Sequence, residues 1–131
     1  MKNKLIALVV ISTVIIFSLF ITVQYLNTKN FKIETKDIVK VTVQYKMNKV
    51  IIEEPEKLQM FFDNINNIDF ILNNIAIGSK GWLFWIKCYN SADKLIYDFT
   101  IQSDNIIKYN SWFYKAANDS IDLSYFENIF K

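Results

Sequence analysis

The residues best suited to chemistry in this 131-residue chain are few and scattered. Glu53, Glu54 and Glu56 form the densest carboxylate cluster, and a pair of carboxylates is what glycoside hydrolysis requires. Ser79-Lys80 places a hydroxyl beside an amine, the two parts of a Ser/Lys nucleophile. Cys88 is the single thiol. Each has a simpler explanation in the surrounding sequence. The glutamates flank Pro55 at the start of an apolar-periodic segment, where Pro suits the first helical position and negative charge favours the positive end of the dipole. Ser79-Lys80 sits between Gly78 and Gly81 without a recognisable nucleophile context. Cys88 alternates with Ile86 and Phe84, the spacing of a small buried hydrophobe on a strand.

What is missing narrows the function further. Without His, the commonest general base and metal ligand is gone. All fifteen cations are Lys, so no Arg fork is present to clamp phosphate or carboxylate. One Cys makes neither a thiolate zinc site nor an intramolecular disulfide. The two glycines stand in no phosphate-cradling motif. The expectation is a protein that is not an enzyme and needs no cofactor or metal, with a carboxylate-dependent hydrolase as the weakest alternative.

The chain divides into a membrane part and a globular part. A run opening at Leu5 and closing at Leu26, "LIALVVISTVIIFSLFITVQYL", has no charge, Gly or Pro. As a helix it spans about 33 Å at ~1.5 Å per residue, matching a hydrocarbon core of roughly 30 Å. It is longer than the apolar region of a cleaved signal peptide, lacks an A-x-A cleavage pattern, and is not followed by a lipoprotein Cys. Residues 1–26 are therefore expected to be an uncleaved signal anchor whose partner is the lipid bilayer. Lys2 and Lys4 favour a cytoplasmic N-terminus in the cell membrane, with the rest of the chain outside; Lys29, Lys32 and Lys36 on the far flank weaken that orientation. Residues 1–37 carry a net charge of +3 and residues 38–131 a net −1, giving the overall +2. The globular part therefore lacks the basic footprint of a nucleic-acid binder.

Residues 27–37, "NTKNFKIETKD", read as a polar juxtamembrane stalk, and residues 38–131 as one extracytoplasmic domain. "IVKVTVQYKMNKVIIEE" predicts a hairpin turning near Met47-Asn48. Leu58, Phe61, Phe62, Ile65 and Ile68 then form one apolar stripe at helical period. "DFILNNIAIGSKG" is ambiguous between a short strand and a loop. "WLFWIKCY" and "LIYDFTIQ", joined by "NSADK", predict a second hairpin, and "NIIKY" with "WFYK" a third, turning at Asn110-Ser111. Asp122 is a natural N-cap for a closing helix, with Ile121 placed to staple onto Phe126. The expected fold class is α+β: an N-terminal transmembrane helix, then an antiparallel sheet of about five to six strands with two helices, after the first hairpin and at the C-terminus.

Alternation along the strands sorts the aromatics. A turn at Asn110-Ser111 puts Tyr109 opposite Trp112, Lys108 opposite Phe113 and Ile107 opposite Tyr114. Ile107, Tyr109, Trp112 and Tyr114 then face a core, together with Leu95, Tyr97, Phe99 and Ile101 and with Trp82, Phe84, Ile86 and Cys88. The opposite face keeps Trp85, Lys87, Tyr89, Lys108, Phe113 and Lys115 as candidate partner-binding residues. The alternative is that the stalk, the loop 73–80 or the first hairpin covers them.

The C-terminal half, through "IIKYNSWFYKAANDSIDLSYFENIF", resembles a family of small extracytoplasmic domains of unknown function from low-GC Gram-positive bacteria, usually membrane-anchored or secreted. "VIIEEPEKLQMFFDNINNI" and "GWLFWIKCYNSADKLIYDFTI" support the likeness. Its motif is carried mainly by Tyr109, Phe113-Tyr114 and Ile121-Asp122-Leu123; the family commonly has Gly where this chain has Ser111. The resemblance implies an envelope location and no enzymatic activity, with no catalytic residue to carry over. The expected function is a non-catalytic module binding an envelope peptide, glycan or protein. An immunity or inhibitor protein, shielding the cell from a toxin or enzyme, is the alternative.

Overall fold

The computed structural model describes residues 1–131, apart from the side chains of residues 25–28. Helix α1 runs over Lys2–Thr28. Within Lys2–Gln24 the most apolar 18 residues have a mean hydropathy of 2.8, and the stretch is long and apolar enough to cross a membrane. Three of its polar side chains are satisfied within the helix. The hydroxyls of Ser12, Thr13 and Thr22 donate to the carbonyls of Leu8, Val9 and Ser18, each at 2.9 Å. That back-bonding removes most of the cost of a hydroxyl in hydrocarbon.

The remainder is α+β, built on one antiparallel sheet of eight strands. In chain order these are β1 (Asn30–Phe31), β2 (Ile38–Tyr45), β3 (Asn48–Ile52), β4 (Phe70–Ile75), β5 (Phe84–Asn90), β6 (Leu95–Ser103), β7 (Ile106–Tyr109) and β8 (Trp112–Ala116). Across the sheet they lie β1-β4-β8-β7-β6-β5-β2-β3. Helix α2 (Pro55–Asn66) carries the chain from β3 at one edge to β4 near the other, and α3 (Leu123–Asn128) closes it. The sheet exceeds the expected five to six strands by β1 and β4. In β4 a register shift between Leu72 and Asn74 breaks the alternation that would have marked a strand.

Local chemistry explains the ends of these elements. Pro55 opens α2, and its buried residues Leu58, Phe61, Phe62 and Ile65 are four of the five in the apolar stripe of the sequence; the fifth, Ile68, is buried just beyond the helix end at Asn66. Asp122 caps α3, its Oδ1 accepting from the Tyr125 N–H at 3.3 Å and from the Ser124 hydroxyl at 2.5 Å. These bonds hold the Asp122 carboxyl below its ordinary pKa, the Ser124 hydroxyl contributing most. The first hairpin turns at Lys46-Met47, one residue earlier than expected, with Lys46 at φ 54°. Asn110 and Ser111 have φ of 49° and 66°, so the third hairpin is a type I′ turn despite having Ser in place of Gly. Tyr109 accordingly pairs with Trp112, Lys108 with Phe113 and Ile107 with Tyr114.

Both helices pack on the same face of the sheet. The Phe126 ring of α3 lies 5.6 Å from Phe61 of α2 and 5.4 Å from Phe84 of β5, all three buried. Each such ring contributes roughly 1.5–3 kcal/mol through burial. Cys88 is buried in the same core, as its alternation requires, and burial pushes its thiol up to about 12.

The polar segment after α1 is not a free stalk. Phe31 and Ile33 are 5 % and 3 % exposed. Phe31 packs 5.0 Å from Phe99 and 5.2 Å from Tyr109. Ile33 is held by Asn66 at the end of α2, which accepts from its N–H and donates to its carbonyl, both at 3.0 Å. The Glu34 N–H donates to the Tyr97 hydroxyl at 2.9 Å. Two apolar residues among charges are too short a pattern to announce this burial.

Candidate functional site

With α2, α3 and the segment around Phe31 and Ile33 on one face, the other face of the sheet has no helix on it. Register places a continuous row of side chains across six strands of this outer face: Gln44 beside Trp85, Trp85 beside Thr100, Thr100 beside Lys108, Lys108 beside Phe113, and Phe113 beside Asn74. The next row sets Thr42 beside Lys87 and Lys87 beside Asp98. Lys40 and Leu95 flank Tyr89 one step further, and Lys115 lies between Ile71 and Ile106. All six candidate residues therefore share one face. Trp85, Lys87, Tyr89, Lys108 and Phe113 are half-buried there, and Lys115 is exposed.

Their environments differ. The Trp85 indole Nε1 donates to Asp98 Oδ1 at 2.6 Å, and the Lys87 ammonium stands 4.6 Å from the centre of the Trp85 ring. That gives the indole a fixed plane, a charge-assisted hydrogen bond at its edge and a cation on its face. Tyr89 has Lys40 at 4.6 Å above its ring, and Lys40 also pairs with Asp93 at 2.5 Å. The hydrogen bond that Lys40 donates to Asp93 leads the causes that raise the Lys40 pKa. Lys108 is committed differently: it donates to the Ser79 carbonyl at 3.3 Å. The loop after β4 thus reaches the outer face, as the alternative reading allowed, and meets the row at Lys108, between Thr100 and Phe113. Ala76, which donates its N–H to the Ser111 carbonyl at 2.8 Å, anchors that loop to the tip of the third hairpin.

Two residues join the site that alternation assigned elsewhere. Trp82 was expected on the core face with Phe84, but β5 begins only at Phe84. Free of the strand, Trp82 packs edge-on against Trp85 with ring centres 5.7 Å apart. Leu95, also expected inward, pairs with Tyr89 and is 42 % exposed, because a bulge between Cys88 and Tyr89 shifts the register of the β6 end. Asp98 was legible as an outward residue, but nothing in the sequence marks its bond to Trp85.

Trp82, Trp85, Asp98, Thr100, Lys108, Asn110 and Ser111 enclose a shallow depression of about 250 Å³. It offers two indoles, a carboxylate, two hydroxyls, an amide and an ammonium, groups suited to hydrogen bonding and stacking. Glu53, Glu54 and Glu56 lie away from it, with Glu54 as the N-cap residue of α2 and in an ion pair with Lys57 at 3.0 Å. Among the described residues, no group of three or more His, Cys, Asp or Glu is placed to hold a metal.

Fold and site together define an α+β domain with one helix-covered and one open sheet face, preceded by an apolar helix of membrane-spanning length. No family model, no curated protein and no solved structure matches the chain.

Proposed function

We propose that this protein is a single-pass membrane-anchored module that holds its domain outside the cell membrane and binds an envelope peptide, glycan or protein through the open face of the sheet. The carrying observation is the row from Gln44 to Asn74, in which Trp85 and Phe113 stand on a face that neither helix covers. A fixed indole flanked by Trp82 and by polar groups is a surface for stacking and hydrogen bonding, the combination that holds flat sugar faces and extended peptides. Lys2 and Lys4 support a cytoplasmic N-terminus, and the resemblance to small extracytoplasmic domains of low-GC Gram-positive bacteria supports the outward placement and a non-catalytic role.

The test is binding of the full chain in detergent micelles to separated glycan and protein fractions of the envelope. Trp85→Ala and Phe113→Ala should each weaken retention by about tenfold or more, as loss of an aromatic anchor does. Their unfolding midpoints should stay close to that of the unmodified protein, since both side chains are only half-buried. Unchanged retention, or loss of binding that tracks unfolding, overturns the reading.

A further inference from the structure

The two edges of the sheet are finished differently. At one edge β1 is two residues long, and its neighbour β4 is bulged, both devices that blunt an edge. At the other, β3 pairs with β2 over five residues with continuous register and has no strand on its far side. Ile51, the fourth of its five residues, is 59 % exposed. The two-residue loop Lys46-Met47 closes on Tyr45 opposite Asn48, so pairs that exchange hydrogen bonds with β2 alternate from Asn48 to Val50 to Ile52. The backbone groups of Lys49, Ile51 and Glu53 are left pointing away from the sheet.

We propose that this edge pairs with the same edge of a second copy, antiparallel and centred on Ile51. A two-fold axis through Ile51 sets it against its own equivalent and sets Lys49 against Glu53 of the other copy, twice. All these residues present outward backbone groups, so Ile51 with Ile51 and Lys49 with Glu53 fall on hydrogen-bonded pairs. A lysine on an edge strand ordinarily repels a second strand. Here Glu53, four residues along on the same face, cancels that repulsion only in this register. Among the described residues, the ion pairs are Lys40–Asp93 and Lys57–Glu54, neither of which takes Lys49 or Glu53; the Glu53 charge is felt by Lys40 beside it, but no ion pair ties the two. On the helix side, Val50 and Ile52 of the second copy meet a groove of about 330 Å³ lined by the apolar Ile52, Met60, Tyr125 and Ile129 and rimmed by Glu54 and Lys57. Because the axis is normal to the sheet, the two open faces lie side by side on one surface.

The full chain, reconstituted in lipid vesicles, is tested with a short thiol cross-linker. Ile51→Cys should give a dimer in high yield, since paired residues lie about 5.5 Å apart across hydrogen-bonded pairs. Lys49→Cys alone should give almost none, its two copies lying about 14 Å apart along the strands at ~3.4 Å per residue. The unmodified chain, with only the buried Cys88, sets the background. Added to Ile51→Cys, Lys49→Glu or Glu53→Lys should each lower the dimer yield about tenfold by turning attraction into repulsion, and both together should restore it. Equal cross-linking at 49 and 51, no cross-linking at 51, or failure of the double reversal to rescue overturns the proposal.

Discussion

The side-chain amide of Asn66 pairs with the backbone of Ile33 as a strand would, accepting from its N–H and donating to its carbonyl at 3.0 Å each. The two residues are 33 apart in sequence, and Ile33 lies five residues beyond the end of α1. The bond therefore fastens the chain leaving α1 to the C-terminal end of α2, and brings Phe31 with it into the core.

Asn66→Ala leaves the N–H and carbonyl of Ile33 without these partners in a partly buried place. The cost is about 2–3 kcal/mol, counting both groups. Chemical denaturation of the full chain in micelles should show it. Protease cleavage between residues 29 and 37 should also become faster, because the segment is released first.

Ser111 sits at φ 66° in a turn position that favours glycine. A left-handed residue costs about 1–2 kcal/mol, and part of the gain from glycine is offset by its freer unfolded chain. Ser111→Gly should therefore raise stability by about 0.5–1 kcal/mol, read as a rise of a few degrees in melting temperature. Ser111→Val, β-branched in the same conformation, should lower it.

Cys88 should be unreactive toward thiol reagents in the native protein and react only on unfolding. Its pKa is pushed up to about 12 by burial, against an ordinary value of 9.0. A raised native pKa means the folded state holds its proton longer than the unfolded state. The associated stability is complete below pH 9 and is lost as pH rises from about 9 to about 12, at about 1.4 kcal/mol per pH unit. Burial raises Tyr109, Tyr114 and Tyr125 as well, which pushes alkaline stability the same way. Cys88→Ala should flatten the pH dependence just above pH 9, measured by denaturant midpoints between pH 8 and 11.

Asp98→Ala removes the acceptor of the Trp85 indole while cutting away an exposed side chain. Stability should change by less than about 1 kcal/mol, as for an exposed polar contact. Binding should fall as it does for Trp85→Ala, though less, because the ring remains but its plane is no longer set. Asp98→Asn keeps an acceptor oxygen and should retain most of the binding.

The sequence by itself determined the features that depend on near neighbours. An uncharged run of membrane-spanning length, the helical stripe from Leu58 to Ile65, the cap at Asp122 and the turn at Asn110-Ser111 are each set by spacing within a few residues. Because a two-residue turn fixes pairing, it also placed Lys108 and Phe113 on one face and Ile107 and Tyr114 on the other. With strand alternation this gathered all six candidate residues on one side of the sheet. Tertiary structure alone decided what depends on the order of strands. Asn66 looks like a weakened helix end until Ile33 is beside it, Trp82 looks like a core residue until β5 starts two positions later, and Leu95 turns outward only because a bulge shifts its register. Which face the helices cover, and which edge stays open, follows from crossovers that carry the chain across the whole sheet; contacts so distant in sequence leave no local pattern to read.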